Sequence, residues 1–232
     1  MADSVALITG AGRGIGRATA IELSSLGYKL ALLARGEAEL SETARVANGA
    51  LCVPADVTDP IAVELAVRKT VETYGGLDAI VHCAGVAPVR GIDQMSVEEW
   101  REVIETNLSS AFYLCRAAWP TFRQQNRGVV VLLSSESSRD PFDGFAAYGA
   151  AKAGLNLFGR SAAREGQQIG VRVHVIAPAA VETGMFRQIL SREQYPTENT
   201  LQPADVARVI VQCVQGDLKY SSGEVIYMHK TM

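Results

Sequence analysis

At 232 residues, with 48% hydrophobic and 20% charged residues, the chain has the make-up of a soluble protein and enough length for one domain with a sizeable core. Its 22 basic and 25 acidic residues give a net charge of −3 without a long basic run, which argues against nucleic acid or an anionic membrane as main partner and for small molecules. Four widely spaced cysteines, Cys52, Cys83, Cys115 and Cys213, lack metal-ligand spacing and read as small apolar core residues, so no metal site is expected. With neither a signal-peptide pattern ahead of the first strand nor an apolar stretch of about 18 residues, a cytoplasmic location is expected.

Along the chain, short apolar runs alternate with amphipathic stretches. Val5 to Thr9 reads as strand, Ile15 to Leu26 as helix, Lys29 to Ala34 as strand and Glu37 to Val46 as helix. Ala50 to Pro54 is strand-like, and Ile61 to Tyr74 is helical with Val63, Val67, Val71 and Tyr74 on one stripe. The apolar run Leu77 to Cys83 precedes a long helical region, Ser96 to Gln125, with a bend expected near Ser109 and Ser110 and a stop at Asn126 to Gly128. Val129 to Leu133 is a strand, Ala146 to Gln168 a helix and Val171 to Ala177 a strand. Pro203 opens a helix whose Val206, Val209, Ile210 and Cys213 share a face until Gly216, and Glu224 to Met228 is a last short strand. Residues 182–201 take no firm assignment, and their place after a strand's carboxyl end makes them a candidate lid. Apolar strands joined by helices predict a parallel sheet covered on both faces, in a single doubly wound α/β domain over residues 1–232.

Two motifs carry chemistry. The first strand runs into Thr9-Gly10-Ala11-Gly12-Arg13-Gly14-Ile15-Gly16 and then a helix, an arrangement in which glycines let backbone N–H groups approach a diphosphate and the helix N-terminus favours its charge. Tyr148 and Lys152, four residues apart on a helix, share one face. A phenol titrates near ~10 in water, and a neighbouring cation lowers that value, so the pair is a proton-donating device.

Together with Asn107 and with Ser135, which precedes Tyr148 by 13 residues, these motifs resemble the short-chain dehydrogenase/reductase family from about Val5 to Met228. The resemblance implies a Rossmann-type fold, with a seven-stranded parallel sheet and a nicotinamide dinucleotide across its carboxyl strand ends. It implies Tyr148 as general acid in carbonyl reduction and base in alcohol oxidation, and Lys152 lowering the phenol's pKa and contacting the nicotinamide ribose. Ser135 would orient the substrate oxygen, and Asn107 would hold a relay water near Lys152 or bond local backbone. Gly10, Gly12, Arg13, Gly14, Ile15 and Gly16 would cradle the diphosphate, Asp56 and Val57 would touch adenine, and Ala84 and Gly85 would offer backbone to the cofactor. Pro178 and Val181 would flank it, with Thr183 bonding the nicotinamide amide.

An acid about 20 residues beyond the glycines is usual for NAD, whereas this chain reads Leu33-Ala34-Arg35 there. Arg35 and Arg13 supply two guanidinium groups for a 2′-phosphate, which predicts NADP(H). Two departures stand out. His82-Cys83-Ala84-Gly85 replaces the family's Asn-Asn-Ala-Gly, which puts in doubt a side-chain link between the central strands and leaves His82 as a structural imidazole. Pro178-Ala179 replaces Pro-Gly, so that turn must avoid a positive φ.

For the substrate, Glu136, Phe142, Phe145, Met185, Phe186, Ile189 and Leu190 form a mainly apolar set with one carboxylate, consistent with an uncharged or cationic carbonyl or alcohol compound. Two other functions fit the same motifs: a 3-oxoacyl-carrier-protein reductase, with Arg187 and Arg192 meeting an acidic carrier, and a non-catalytic NADP(H)-binding regulator. Relatives pair through their long helices, so a homodimer or homotetramer is expected, with Ala111, Phe112, Leu114, Cys115, Ala118, Leu155, Leu157 and Phe158 as candidate surface or as sheet-facing core.

Overall fold

Alternation inside the apolar runs sets the layers. In β1 (Val5–Thr9), Val5 and Leu7 enter one hydrophobic core and Ala6 and Ile8 the other, and all four are buried. The computed structural model describes residues 4–230. It joins β1 to β2 (Lys29–Ala34), β3 (Leu51–Pro54), β4 (Ala79–His82), β5 (Gly128–Leu133), β6 (Val171–Pro178) and β7 (Val225–Met228) in one parallel sheet of order β3-β2-β1-β4-β5-β6-β7. The predicted seven-stranded doubly wound fold is the one observed, with strand ends within a residue or two of the expected ones.

Leu7, Leu33, Val130, Leu132, Val173 and Val175 pack with residues of α3 (Pro60–Tyr74), α5 (Ser110–Gln125) and α6 (Ala146–Gln167). Ala6, Ile8, Leu32, Val81, Val131 and Ile176 pack with α1 (Gly14–Ser25), α2 (Glu37–Val46) and α8 (Pro203–Gln215). Strand order reverses between β1 and β4, and the crevice outside the carboxyl ends at such a switch point is where open α/β sheets bind ligands. No helix among the described residues is long and apolar enough to cross a membrane.

Two expectations change, and one open alternative is resolved for most of its residues. The long helix is broken by a π turn at Glu105–Ser109, between α4 (Val97–Ile104) and α5, slightly earlier than the expected bend. The candidate lid holds a short helix, α7 (Gly184–Ile189), which no periodicity announced. Of the apolar residues offered for self-association, Ala111, Leu114, Cys115, Ala118 and Leu155 are buried in the chain's own core because they face the sheet, while Phe112 and Leu157 remain exposed.

Candidate active site

The glycine turn is built for close approach. Gly10 sits at φ +64, and a Cβ there would come within 2.8 Å of the Ala84 nitrogen, so the exits of β1 and β4 touch only because it is glycine. A Cβ at Gly16 would overlap the Gly10 carbonyl, and one at Gly14 (φ +56) would lie 3.4 Å from the Thr183 methyl. α1 begins with Arg13 as N-cap, without a side-chain cap and without an acid in its first turn. Its N–H groups therefore suit an anion, and a dinucleotide diphosphate fits this cradle. At the far end Arg35 is exposed and reaches Asp56 only at 4.0 Å, and Arg13 is exposed and has no ion pair among the described residues. Asp56 also accepts bonds from the Thr58 N–H and hydroxyl, both at 2.9 Å.

Tyr148 and Lys152 occupy successive turns of α6, with the ammonium 5.6 Å from the phenol ring centre. Lys152 is 3% exposed and donates to the Leu133 carbonyl at 2.7 Å, and burial pulls its pKa down to about 8. Burial also raises the Tyr148 pKa, against which a hydrogen bond with Ser135 pulls down. The amine is turned to the Leu133 carbonyl, and at the phenol desolvation outweighs the lowering that Ser135 supplies. Ser135 itself caps the 3-10 turn Glu136–Ser138, accepting from the Ser137 N–H at 3.2 Å.

Asn107 lies in the π turn and is fully buried. Its amide donates to the carbonyls of Val86 (2.8 Å) and Val103 (2.9 Å), and its carbonyl accepts from the Val86 N–H (3.3 Å), which clamps the segment after β4. The missing amide at His82 is replaced by the imidazole itself. The Ala84 N–H donates to the Thr9 hydroxyl at 3.3 Å, Thr9 reaches His82 Nδ1 at 2.9 Å, Nε2 reaches Ser110 at 3.0 Å, and Ser110 donates to the Thr106 carbonyl at 2.7 Å. Every donor has an acceptor if His82 is neutral with its proton on Nε2, and burial holds it neutral by lowering its pKa to about 3. β1, β4 and α5 are therefore linked after all. The Pro178-Ala179 turn avoids positive φ, and the Ala179 N–H bonds the Met228 carbonyl at 2.9 Å.

Every residue expected at the site, from Gly10 to Thr183, lines one cleft of about 970 Å³, and so does the whole candidate substrate set. Glu39, Glu102, Thr106 and Tyr195 line it too without having been singled out. The hub that organises residues 182–201 was also missed. Arg187 pairs with Glu182 and donates to the carbonyls of Ser191 (3.1 Å) and Tyr195 (2.7 Å), drawing the Glu182 pKa down to about 2. Among the described residues no cluster of three or more His, Cys, Asp or Glu could hold a metal.

A doubly wound parallel sheet with a glycine cradle and a hydroxyl, phenol and amine at its switch point defines an oxidoreductase that uses a nicotinamide dinucleotide on carbonyl or alcohol groups. The chain belongs to the short-chain dehydrogenase family, which residues 4–194 match. It is 33% identical over 236 residues to the 3-oxoacyl-[acyl-carrier-protein] reductase FabG of Escherichia coli (strain K12), covering 98% of this chain and 96% of the relative. It is 32% identical over 238 residues to the protein of that name from Staphylococcus aureus (strain Mu50 / ATCC 700699), covering 98% and 97%. Among solved structures, levodione reductase superposes with a TM-score of 0.91 at 26% identity, covering 99% of this chain and 97% of that one. Gox2181 does so with a TM-score of 0.92 at 27% identity, covering 98% and 95%.

Proposed function

We propose that this chain is an NADPH-dependent reductase that converts the carbonyl group of a small molecule to an alcohol. The observation that carries the reading is the convergence of Ser135, Tyr148 and Lys152 in the cleft whose other end is the glycine turn. When bound, a nicotinamide would supply the hydride for the carbonyl carbon. Ser135 orients the carbonyl oxygen by hydrogen bonding, and Tyr148 gives that oxygen its proton as negative charge develops there. Burial holds the phenol's pKa above its ordinary value, so Tyr148 carries the proton it has to give at neutral pH. Lys152, with its pKa near 8, holds the ribose hydroxyls and returns a proton to Tyr148. Asn107 and Lys152 both flank Gly85, which supports a proton path past Asn107.

NADPH is favoured over NADH by Arg13 and Arg35 and by the lack of an acid at the end of β2. Similarity to the FabG proteins favours a second reading, a 3-oxoacyl thioester as substrate. Four free cysteines support a cytoplasmic site of action, and exposed Phe112 and Leu157 on neighbouring helices support self-association, which light scattering of the purified protein reads directly.

Turnover is tested by NADPH consumption against a panel of ketones and aldehydes. Tyr148→Phe is expected to lose about 100- to 10,000-fold in turnover while still binding NADPH. Full turnover in that variant overturns the acid assignment, and NADPH binding without turnover of any carbonyl leaves the regulator reading. Equal use of NADH and NADPH, unchanged in Arg35→Asp, overturns the cofactor choice.

A further inference from the structure

The substrate half of the cleft has an aromatic spine. Phe142, Phe145 and Tyr148 stand edge to face, with ring centres 6.0 and 5.5 Å apart, and run from the mouth, where Phe142 is 69% exposed, to the phenol. The lid contributes Met185 and Phe186, the latter braced by the Tyr195 ring at 5.4 Å and by the Arg187 guanidinium at 5.1 Å. Such walls take a ring or a branched apolar body in offset or edge-on contact.

Charge narrows the ligand further. Glu102, Glu136 and Asp143 line this half, whereas the cations lining the cleft are Arg13 and Arg35 at the dinucleotide end and Lys152 near the phenol. The arginines near the mouth are already paired: Arg90 with Glu99 at 3.3 Å, Arg139 with Glu136 at 2.7 Å and Arg192 with Glu182 at 3.6 Å. Arg187 is spent inside the lid, so the expectation that it meets an acidic carrier is corrected. Among the described residues, an anion entering here meets carboxylates and no unpaired guanidinium. A cation fares little better, because Glu136, the carboxylate beside Ser135, is neutralised by Arg139 and faced by His229 at 3.3 Å, while Glu102 and Asp143 are exposed and screened by water.

We propose that the substrate is a free, uncharged carbonyl compound with an aromatic or cyclic apolar body, seated between Phe142 and Phe145 on one side and Met185 and Phe186 on the other, and delivered without an acidic carrier. The proposal rests on the reductase reading and names the substrate class of that site.

The test compares an aryl ketone with the same ketone bearing a ring carboxylate or a ring ammonium, and a 3-oxoacyl group as a small neutral thioester with the same group on an acidic carrier protein. The neutral ketone is expected to exceed both charged analogues in kcat/KM by about 10-fold or more, and the carrier to give no advantage over the free thioester. Phe142→Ala, at an exposed position, should raise KM for the aryl ketone about 3- to 10-fold with kcat kept, the response of uniform binding. Faster turnover of the carboxylate analogue, or a tenfold gain from the carrier, overturns the proposal. Calorimetric binding, to the NADPH-loaded chain, of the alcohols that correspond to the neutral, carboxylate and ammonium ketones separates the substrate class from the reductase reading. The same neutral-over-charged order without turnover sinks the reductase reading and keeps the substrate class, and an inverted order sinks the class itself.

Discussion

Lys152 is an ammonium almost out of water, and among the described residues the Leu133 carbonyl is its one strong acceptor. Desolvation penalises the charged form, so its proton leaves near pH 8 instead of 10.5, while the buried phenol of Tyr148 holds its own above 10. The two groups therefore titrate in separate windows. Below about 8 both are protonated and carbonyl reduction has its proton supply; above that value Lys152 empties first. The expected pH profile of kcat/KM for reduction falls as pH rises through about 8, and a profile that stays flat up to the 10.5 of a free lysine would remove Lys152 from the proton path. The Tyr148/Lys152 pair was legible in sequence because i and i+4 share a helix face. Its electrostatics were not, because spacing does not reveal that Leu133, 19 residues back, captures the amine. The imidazole bridge of His82 was illegible for the same reason, its partners Thr9 and Ser110 lying 73 and 28 residues away.

At the scale of elements, α6 carries both the phenol and the amine, and its depth on the sheet sets where they end up. Gly159 fixes that depth, since a Cβ there would overlap the Val175 methyl of β6 and come within 3.4 Å of Leu132. Alanine gains up to about 1 kcal/mol of helix propensity. Overpacking a buried β-branched neighbour costs about 1 to 3 kcal/mol, and Val175, with 0% exposure, has no room to turn. Gly159→Ala should therefore be net destabilising by about 1 kcal/mol in urea unfolding, with reduced turnover, whereas Gly184→Ala, first in α7 and with nothing within 4 Å, should not destabilise and keeps any propensity gain. A stabilised Gly159→Ala would mean that α6 is not seated by this contact. Sequence periodicity found the strands and long helices, because burial on both sheet faces leaves near-continuous apolar runs. It misplaced the π turn, whose register depends on Asn107 bonding Val86 across the fold, and it could not see α7, a six-residue helix with no buried residue to mark its period.

On the scale of the whole molecule, stability in acid should be governed first by two imidazoles buried on strands of the sheet. His82 on β4 and His174 on β6 are both 0% exposed, and burial lowers their pKa values from 6.5 to about 3 and about 4. Below 6.5 the unfolded chain binds two protons that the folded chain refuses, so the neutral-pH stability is intact above 6.5 and is lost as pH falls toward these folded values. Each such proton contributes a slope approaching about 1.4 kcal/mol per pH unit, so the pair approaches about 3 kcal/mol per unit once the unfolded imidazoles are charged. Glu182 acts in the same direction, but its window opens only below 4.5, so the interval from 6.5 to 4.5 belongs to the histidines. Urea midpoints measured across that interval should fall steeply for this chain. In His82→Asn, which carries the amide common in the family, the slope should drop by about half, while stability at neutral pH also falls because the Thr9 to Ser110 bridge is cut. An unchanged acid slope in His82→Asn would show that the imidazole is not held neutral, and with it the assignment of the Nε2 proton that ties β1, β4 and α5 beneath the glycine cradle would fall.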